Sequence, residues 1–272
     1  MNVLVKKIKV IREVALVTYK EWSAYRTHSM VSIFVGPVYF LVQYFIWTAV
    51  YSGSSSLNGM DLSQMLSYFG VTTLMGYLTM DFADWNLQML VRTGKFLTFA
   101  LRPIHHRFFA LSQKIGHRVL GLIFEFIPCL VIFIFLFKVD MRPASFFWTT
   151  LSVVLAFLMN LYTNYTIGMT AFWLVESTSV RRVYLLLQSI FSGGLVPLVF
   201  FPMWMQKLLF FLPFQYVSYV PAMVFTGQFT LAGISMTIPQ IVGVQALAVL
   251  AVALFSEAAY RLSIKRFTGV GA

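Results

Sequence analysis

Charged side chains are scarce in this sequence, and acidic ones are the rarest. Only 11% of the 272 residues are charged, and nine of them are Asp or Glu. A soluble domain carries about 25% charged residues. The chain therefore lacks the polar side chains that would cover a soluble globule, which excludes soluble enzymes and disordered linkers.

Cysteine is almost absent as well. The single Cys129 excludes a disulfide framework and a metal site built from cysteines. Histidine offers no metal site either, because the adjacent His105 and His106 do not share a helix face and no carboxylates are spaced with them. We therefore expect no catalytic residue and no metal site.

A phosphate-binding loop is also missing. Residues 93–95 are Thr-Gly-Lys, but Phe96 stands where such a loop needs Ser or Thr, and no glycine lies five residues before Gly94. The sequence also contains no nucleophile motif of an intramembrane hydrolase. The chain itself is therefore predicted to hydrolyse no ATP and to carry no cofactor.

Apolar residues, in contrast, make up 59% of the chain, and the mean hydropathy is +0.80. A membrane-crossing helix needs about 20 mostly apolar residues. Six runs meet this description: Val31–Tyr51, Met65–Phe82, His117–Phe137, Phe146–Val175, Val183–Phe201 and Pro239–Tyr260. The sequence predicts an all-α integral membrane protein with one domain, in which residues 31–260 form a six-span bundle and residues 261–272 a cytoplasmic tail.

The basic residues lie almost entirely on one side of these spans. Seventeen of the 20 Lys and Arg residues fall in the N-terminal segment, the connections before the third and fifth spans, and the C-terminal tail. The other side has only Lys138, Arg142 and Lys207. Since basic residues are retained in the cytoplasm, both termini are predicted to be cytoplasmic. The net charge of +11 therefore requires no nucleic-acid partner.

Residues 1–30 have the pattern of a basic amphipathic helix. Apolar residues such as Ile8 and Ile11 alternate with Lys7, Lys9 and Arg12. This pattern is typical of a helix that lies on the anionic cytoplasmic face of a membrane. It is either a simple anchor or an interfacial helix that moves the first span.

The connection after the second span predicts a short cytoplasmic helix with two different faces. At 100° per residue, Leu90, Leu97 and Leu101 fall on one face. The other face holds Arg92, Lys95, Phe96, Phe99 and Arg102, and Pro103 ends the helix. We expect the leucines to contact the membrane domain and the basic and aromatic residues to bind a partner. The alternative is a solvated helix without a partner.

The stretch after the fifth span is too apolar for a loop in water and too often interrupted for a full span. Its interruptions are Gly193, Gly194, Pro197, Pro202 and Pro213. Irregular backbone at membrane depth is tolerated only where protein buries it. The sequence therefore predicts short broken helices that enter the outer leaflet and return.

A few polar residues within the spans are candidates for a translocation path or gate, because such groups are costly in a bilayer. Asp81 and Asp84 share a helical stripe with Tyr77, and they either pair with local basic residues or shape a cytoplasmic gate. Glu125 either lines a path or pairs inside the bundle. Asn160 and Asn164 either hydrogen-bond a neighbouring helix or contact cargo.

Two motifs resemble those of a known family. Residues 92–104 combine Arg92, Gly94, Lys95, Leu101 and Arg102-Pro103-Ile104. Residues 193–214 have the order Gly-Gly, Pro197, Phe-Pro202, and Leu-Pro-Phe at 212–214. In their order and spacing these motifs resemble the permease subunit of a type-2 ABC exporter, in the bacterial drug-exporter-like branch with paired permeases. Asp81 and Asp84 have no counterpart in this pattern.

The resemblance implies six spans, cytoplasmic termini, an N-terminal interfacial helix, a coupling helix after the second span and a re-entrant hairpin before the sixth. It implies two ABC ATPase subunits that bind ATP and Mg, and a second permease that is a different chain or another copy. The location implied is the bacterial inner membrane, and the function is export, with multidrug efflux as one case.

Two other functions stay open on the sequence alone. A secondary carrier or channel needs no ATPase and would couple to ions through Glu125 or Asp81. A membrane assembly or signalling subunit would transport nothing. The cargo is also open, since drug-like molecules, lipidic compounds and modified peptides all suit an aromatic-rich bundle.

Overall fold

The computed structural model describes residues 3–24, 31, 33–102, 104–174 and 177–266. Within these ranges the chain is mostly helical. The helices are α1 Val3–Ser23, α2 Val35–Val50, α3 Leu62–Thr79, α4 Ala83–Arg92, α5 Phe96–Ala100, α6 His106–Gly121, α7 Ile127–Phe135, α8 Phe146–Gly168, α9 Thr178–Phe191, α10 Met203–Phe211, α11 Tyr219–Thr226 and α12 Ile238–Ile264. Two short antiparallel strands, β1 Phe229–Leu231 and β2 Ile234–Met236, lie between α11 and α12.

Three helices in the described part of the chain are long and apolar enough to cross a membrane. They are His106–Phe135, Phe146–Phe172 and Ile238–Ile264. The first consists of α6, a π-helical turn at Leu122–Phe126 and α7, and the second extends α8 by a 3-10 turn. The other predicted spans correspond to α2, α3 and α9, which have 16, 18 and 14 residues.

The predicted limits of two spans are wrong. The third helix begins at His106 rather than at His117, because its first half is amphipathic and was not recognised by apolarity. The helix predicted to reach Phe201 ends at Phe191, because Gly193 has a positive φ of 86° and the backbone then turns.

The N-terminal amphipathic segment forms α1, which packs along α6. Gly116 lets the two helices approach closely, since a Cβ there would overlap the backbone of Ala15. Thr18 is buried, and the Trp22 ring lies edge-on to His117 with a centroid distance of 4.3 Å. Part of the face that the sequence assigns to the membrane surface therefore contacts protein.

Local sequence fixes the start of two helices. At α3, Asp61 Oδ1 accepts from the Gln64 backbone N–H at 2.8 Å, and Gln64 Oε1 accepts from the Asp61 N–H at 3.0 Å. Thr237 and Gln240 form the same reciprocal capping box at α12. Each box satisfies backbone donors that the first turn of a helix leaves open.

The core has two parts. The larger part lies where α3, α8, α11 and α12 meet and includes Tyr68, Met159 and Tyr219. The smaller part surrounds Phe96 and includes Leu87, Tyr165, Met169 and Phe172. The smaller part therefore joins the α4–α5 segment, Ala83–Ala100, to the C-terminal end of α8.

Candidate functional site

Two buried ion pairs connect the end of the α3–α4 connection and the first turn of α4 with α6 and α9. Lys114 Nζ lies 3.3 Å from Asp81 Oδ1, and Arg181 Nε lies 2.6 Å from Asp84 Oδ2. Both carboxylates are fully buried. The prediction that Asp81 and Asp84 pair with basic residues is confirmed, and their role in a gate stays a prediction.

Burial and pairing act in opposite directions on Asp84. Desolvation raises the pKa of its carboxyl above the ordinary value, while the Trp85 backbone N–H and Arg181 lower it, and desolvation is the larger effect. The N–H of Trp85 donates to Asp84 Oδ1 at 2.7 Å. Gly168 of α8 lies against this turn, since a Cβ there would be 2.9 Å from the Asp84 Cα.

Amide side chains connect the region of these two ion pairs to α8. Asn160 Nδ2 donates to the Thr79 carbonyl at 2.8 Å, and Gln188 Nε2 donates to Asn160 Oδ1 at 2.7 Å. Asn164 Nδ2 lies 3.4 Å from Asp81 Oδ2. The hypothesis that Asn160 and Asn164 hydrogen-bond neighbouring segments is therefore confirmed, and a contact with cargo stays a prediction.

Glu125 lies in the π-helical turn between α6 and α7. Pro128 follows it and lacks the N–H that a regular helix would use, which suits such a local change of helix type. A Cβ on Gly121 would lie 3.2 Å from Glu125 Oε2 and 3.4 Å from Arg118 Nη1, so both groups flank Gly121. Glu125 is partly buried, and its role in a path stays a prediction.

Tyr77 joins three helices. Its hydroxyl accepts from the Gly36 N–H of α2 at 2.7 Å, and its carbonyl accepts from Arg118 of α6. Arg118 in turn contacts His117 Nδ1 at 2.5 Å. The polar residues predicted from the sequence thus lie around one junction of α2, α3, α6, α8 and α9.

The orientation predicted for the α4–α5 segment is wrong for Phe96, Leu97 and Leu101, whereas Leu90 packs inward and Arg92, Lys95 and Arg102 are exposed as predicted. Phe96, which the sequence predicts on the partner-binding face, is only 1% exposed and packs edge-on against Phe172 at 5.0 Å and His106 at 5.4 Å. Leu97 and Leu101, which the sequence predicts against the membrane domain, are 52% and 81% exposed. Pro103 lies outside the described residues.

Gly94 explains the difference. It has a φ of 70°, so the helix stops at Arg92 and α5 starts anew at Phe96. A left-handed residue changes the direction of the chain, and the 100° periodicity therefore does not continue from Leu90 to Leu97. The glycine was a visible signal for this break.

The outward face of this segment is both apolar and basic. Arg92, Lys95 and Arg102 are exposed beside the two leucines. The Arg102 guanidinium lies 4.4 Å from the centroid of the partly buried Phe99 ring. The exposed Leu97 and Leu101 therefore lie beside three basic side chains.

The segment after α9 consists of short helices, as predicted. Tyr68 donates to the Gly193 carbonyl at 2.6 Å, and Tyr39 donates to the Gly194 carbonyl at 2.9 Å. Pro197 and Pro202 each precede a short helix, and Pro213 starts a 3-10 turn. Their depth in the outer leaflet stays a prediction.

Glutamines that sequence reasoning did not single out stabilise this irregular backbone. Gln206 donates to the carbonyls of Val199 and Phe201, and Gln245 donates to those of Ser152 and Tyr216. The strands β1 and β2 were also missed. Ala232 and Gly233 between them both have positive φ, and only the glycine is a residue typical of such a turn.

The comparisons with known proteins agree with the membrane character of the chain. The family described as "ABC-2 family transporter protein" matches residues 38–271, which is most of the sequence. No curated protein matches the chain. The family match covers the polar junction, the α4–α5 segment and the broken helices, and the chain therefore belongs to the ABC-2 transporter family as a multi-pass membrane subunit of an ABC transporter.

Proposed function

We propose that this subunit is the permease of an ATP-driven exporter and that its ATPase partners act on it through α5. The observation that carries the proposal is the exposure of Leu97 and Leu101 among Arg92, Lys95 and Arg102. Leu97 on this short helix and Leu101 directly after it are not covered by other side chains of the described chain. A groove on an ABC ATPase would bury them, and acidic residues at its rim would lie near Lys95 and Arg102.

The buried Phe96 side chain on the inner side of α5 suits a role in transmitting movement. Phe96 fixes α5 to His106 at the start of α6 and to Phe172 beyond α8. Asp84, at the start of α4, fixes the same segment to Arg181 of α9. A displacement of α5 would therefore be transmitted to the helices that surround the polar junction.

ATP and Mg bind, in this proposal, on two separate ATPase subunits. The ATPase pair would contact α5 differently in its open and closed states, and this difference in contact free energy would drive the permease between two conformations. This chain supplies no covalent catalysis.

The complete arrangement follows the resemblance of residues 92–104 and 193–214 to type-2 exporters. We propose six spans with cytoplasmic termini in a bacterial inner membrane, and a second permease, most simply a different chain, on the other side of the path. Drug-like, lipidic and modified-peptide cargoes all remain compatible with multidrug export.

Co-purification tests the proposal. The tagged chain is isolated from its native membranes, and associated ABC ATPase is quantified by mass spectrometry. The double variant Leu97→Ala, Leu101→Ala should retain at least tenfold less ATPase, because truncating two buried leucines at an interface removes about 2–4 kcal/mol.

The matched control is Leu208→Ala on α10, where the leucine is similarly exposed, at 54%. This control should retain the wild-type amount of ATPase. Unchanged ATPase with the double variant would contradict coupling through α5. A preparation without any ATPase would instead favour a secondary carrier.

A further inference from the structure

A long apolar cavity of about 730 Å³ lies between α3, the helix α6–α7 and α8. Along α8 its lining runs from Phe146 to Leu158, which is about 18 Å at 1.5 Å per residue. Phe146 and Val154 are also exposed on the outside of the bundle. The cavity therefore opens sideways between the helices.

The wall of this cavity contains two buried polar atoms without a partner. Arg118 Nε and Thr149 Oγ1 both line the cavity, and neither has a hydrogen-bond partner among the described residues. Both side chains are about nine-tenths buried. An unsatisfied buried donor is costly, so Arg118 Nε indicates a ligand that brings an oxygen acceptor to its end of the cavity.

The two polar atoms lie at opposite ends of the cavity. Arg118 donates to the Tyr77 carbonyl near the C-terminal end of α3, and Asn160 of α8 bonds to Thr79 at the same level. Thr149 lies in the first turn of α8. The apolar wall between the two ends is formed by side chains such as Leu74, Val153 and Phe157.

We propose that this cavity binds one long-chain fatty acid. Its carboxyl group would accept from Arg118 Nε, and its alkyl chain would extend along α8 towards Thr149. The volume falls within the roughly 300–1,000 Å³ typical of ligand pockets, and a guanidinium–carboxyl contact is a charge-assisted hydrogen bond. This inference does not depend on the proposed coupling through α5.

The position of Arg118 favours a single-chain ligand over a phospholipid of the bilayer. A phospholipid would bring a second chain and a bulky head group to a guanidinium that is 9% exposed. Glu125 flanks Gly121 on the same side as Arg118 Nη1, which leaves the Nε side for the ligand.

Photocrosslinking of the purified full-length chain tests the site. The probe is a palmitic acid that carries a diazirine in its alkyl chain, and labelled peptides are mapped by mass spectrometry. We expect labels on α3, α6 and α8 that unlabelled palmitate removes. The variant Val153→Trp fills the cavity and should lower labelling at least tenfold. Leu250→Trp, on an exposed face of α12, should not.

The head group is tested separately. In the Arg118→Gln variant, unlabelled palmitate should compete with the diazirine probe about tenfold more weakly, because a hydrogen bond to a charged group is lost. Palmitate should then compete no better than 1-hexadecanol, which lacks the carboxyl group. If this variant does not fold, the comparison of palmitate with 1-hexadecanol on the wild-type chain supplies the same contrast.

Three results would overturn the proposal. One is labelling spread evenly over the outside of the bundle and unaffected by Val153→Trp. The second is equal competition by palmitate and 1-hexadecanol on the wild-type chain. The third is that phosphatidylglycerol, but not palmitate, competes with the diazirine probe, which would assign the cavity to a phospholipid chain.

Discussion

Arg181 Nε donates to Asp84 Oδ2 across 2.6 Å and thereby joins the first turn of α9 to the first turn of α4. The Asp84 side chain is almost fully buried, while that of Arg181 is partly accessible. The pair connects a helix of the bundle with the segment that leads through Gly94 to the exposed Leu97 and Leu101. Its loss should affect stability more than the loss of any neighbouring charge.

The substitution Arg181→Gln is expected to lower the free energy of unfolding by about 3 kcal/mol, because it leaves a buried carboxylate without its partner. Arg182→Gln is the matched control, since Arg182 is adjacent and exposed, and it should change stability by less than about 0.5 kcal/mol. Fluorescence-monitored unfolding in detergent micelles measures both. Equal effects of the two substitutions would contradict a special role for the pair.

The pH dependence of the Arg181→Gln variant provides a second check. Burial raises the pKa of Asp84 above the ordinary value of about 3.9. Folding therefore favours the protonated carboxyl, and this group's contribution is largest at low pH and is lost as pH rises through the folded-state pKa. Removing Arg181 raises that pKa further. The destabilisation caused by Arg181→Gln should therefore shrink as pH falls through the folded-state pKa of Asp84 in the variant, whereas a destabilisation that does not change with pH would contradict this prediction.

Gly193 is expected to tolerate no side chain. Its φ is 86°, and a Cβ would lie 2.8 Å from the Tyr68 hydroxyl oxygen and 2.9 Å from the Tyr219 Cβ. Gly233→Ala is the control, because Gly233 has a φ of 76° but no atom within 4 Å of its Cβ position. The control should lower the free energy of unfolding by about 1 kcal/mol, from backbone strain alone. Gly193→Ala should lower it by at least about 2 kcal/mol more, because the added methyl group overpacks the site. Thermal unfolding of both variants measures the difference.

The close approach of α1 and α6 depends on Gly116. Gly116→Val should separate the helices, because a side chain there overlaps the Ala15 backbone. The exposed Lys9, Arg12 and Lys20 would then be cut faster by trypsin while the remaining chain stays folded. Gly243→Val places the same residue in α12, where nothing lies within 4 Å, and should leave the cleavage rate of α1 unchanged. Equal cleavage rates in both variants would show that the contact does not hold α1.

Sequence reasoning succeeded where a feature depends on neighbouring residues or on composition. Hydropathy located the helices α8 and α12, and the pairing of Asp81 and Asp84 followed from the high cost of a lone buried charge. It failed where long-range packing decides. The Ala232 N–H that donates to Gln206 and both partners of Gln245 lie on other segments of the chain, and no local pattern identifies them. The start of α6 was missed because contacts with α1 and α8, rather than lipid, bury its first half.

Phe96 and Leu97 are neighbours on α5 that differ in burial, so their truncation should have different effects on stability. Phe96→Ala should destabilise the protein by about 3–5 kcal/mol, because the buried ring leaves a cavity against Phe172 and His106. Leu97→Ala, at the next and exposed position, should change stability by less than about 0.5 kcal/mol. Unfolding midpoints in the same detergent compare the two variants directly. If Leu97→Ala were the more destabilising, the leucine face would pack on the membrane domain after all, and Phe96 would return to the surface that binds the partner.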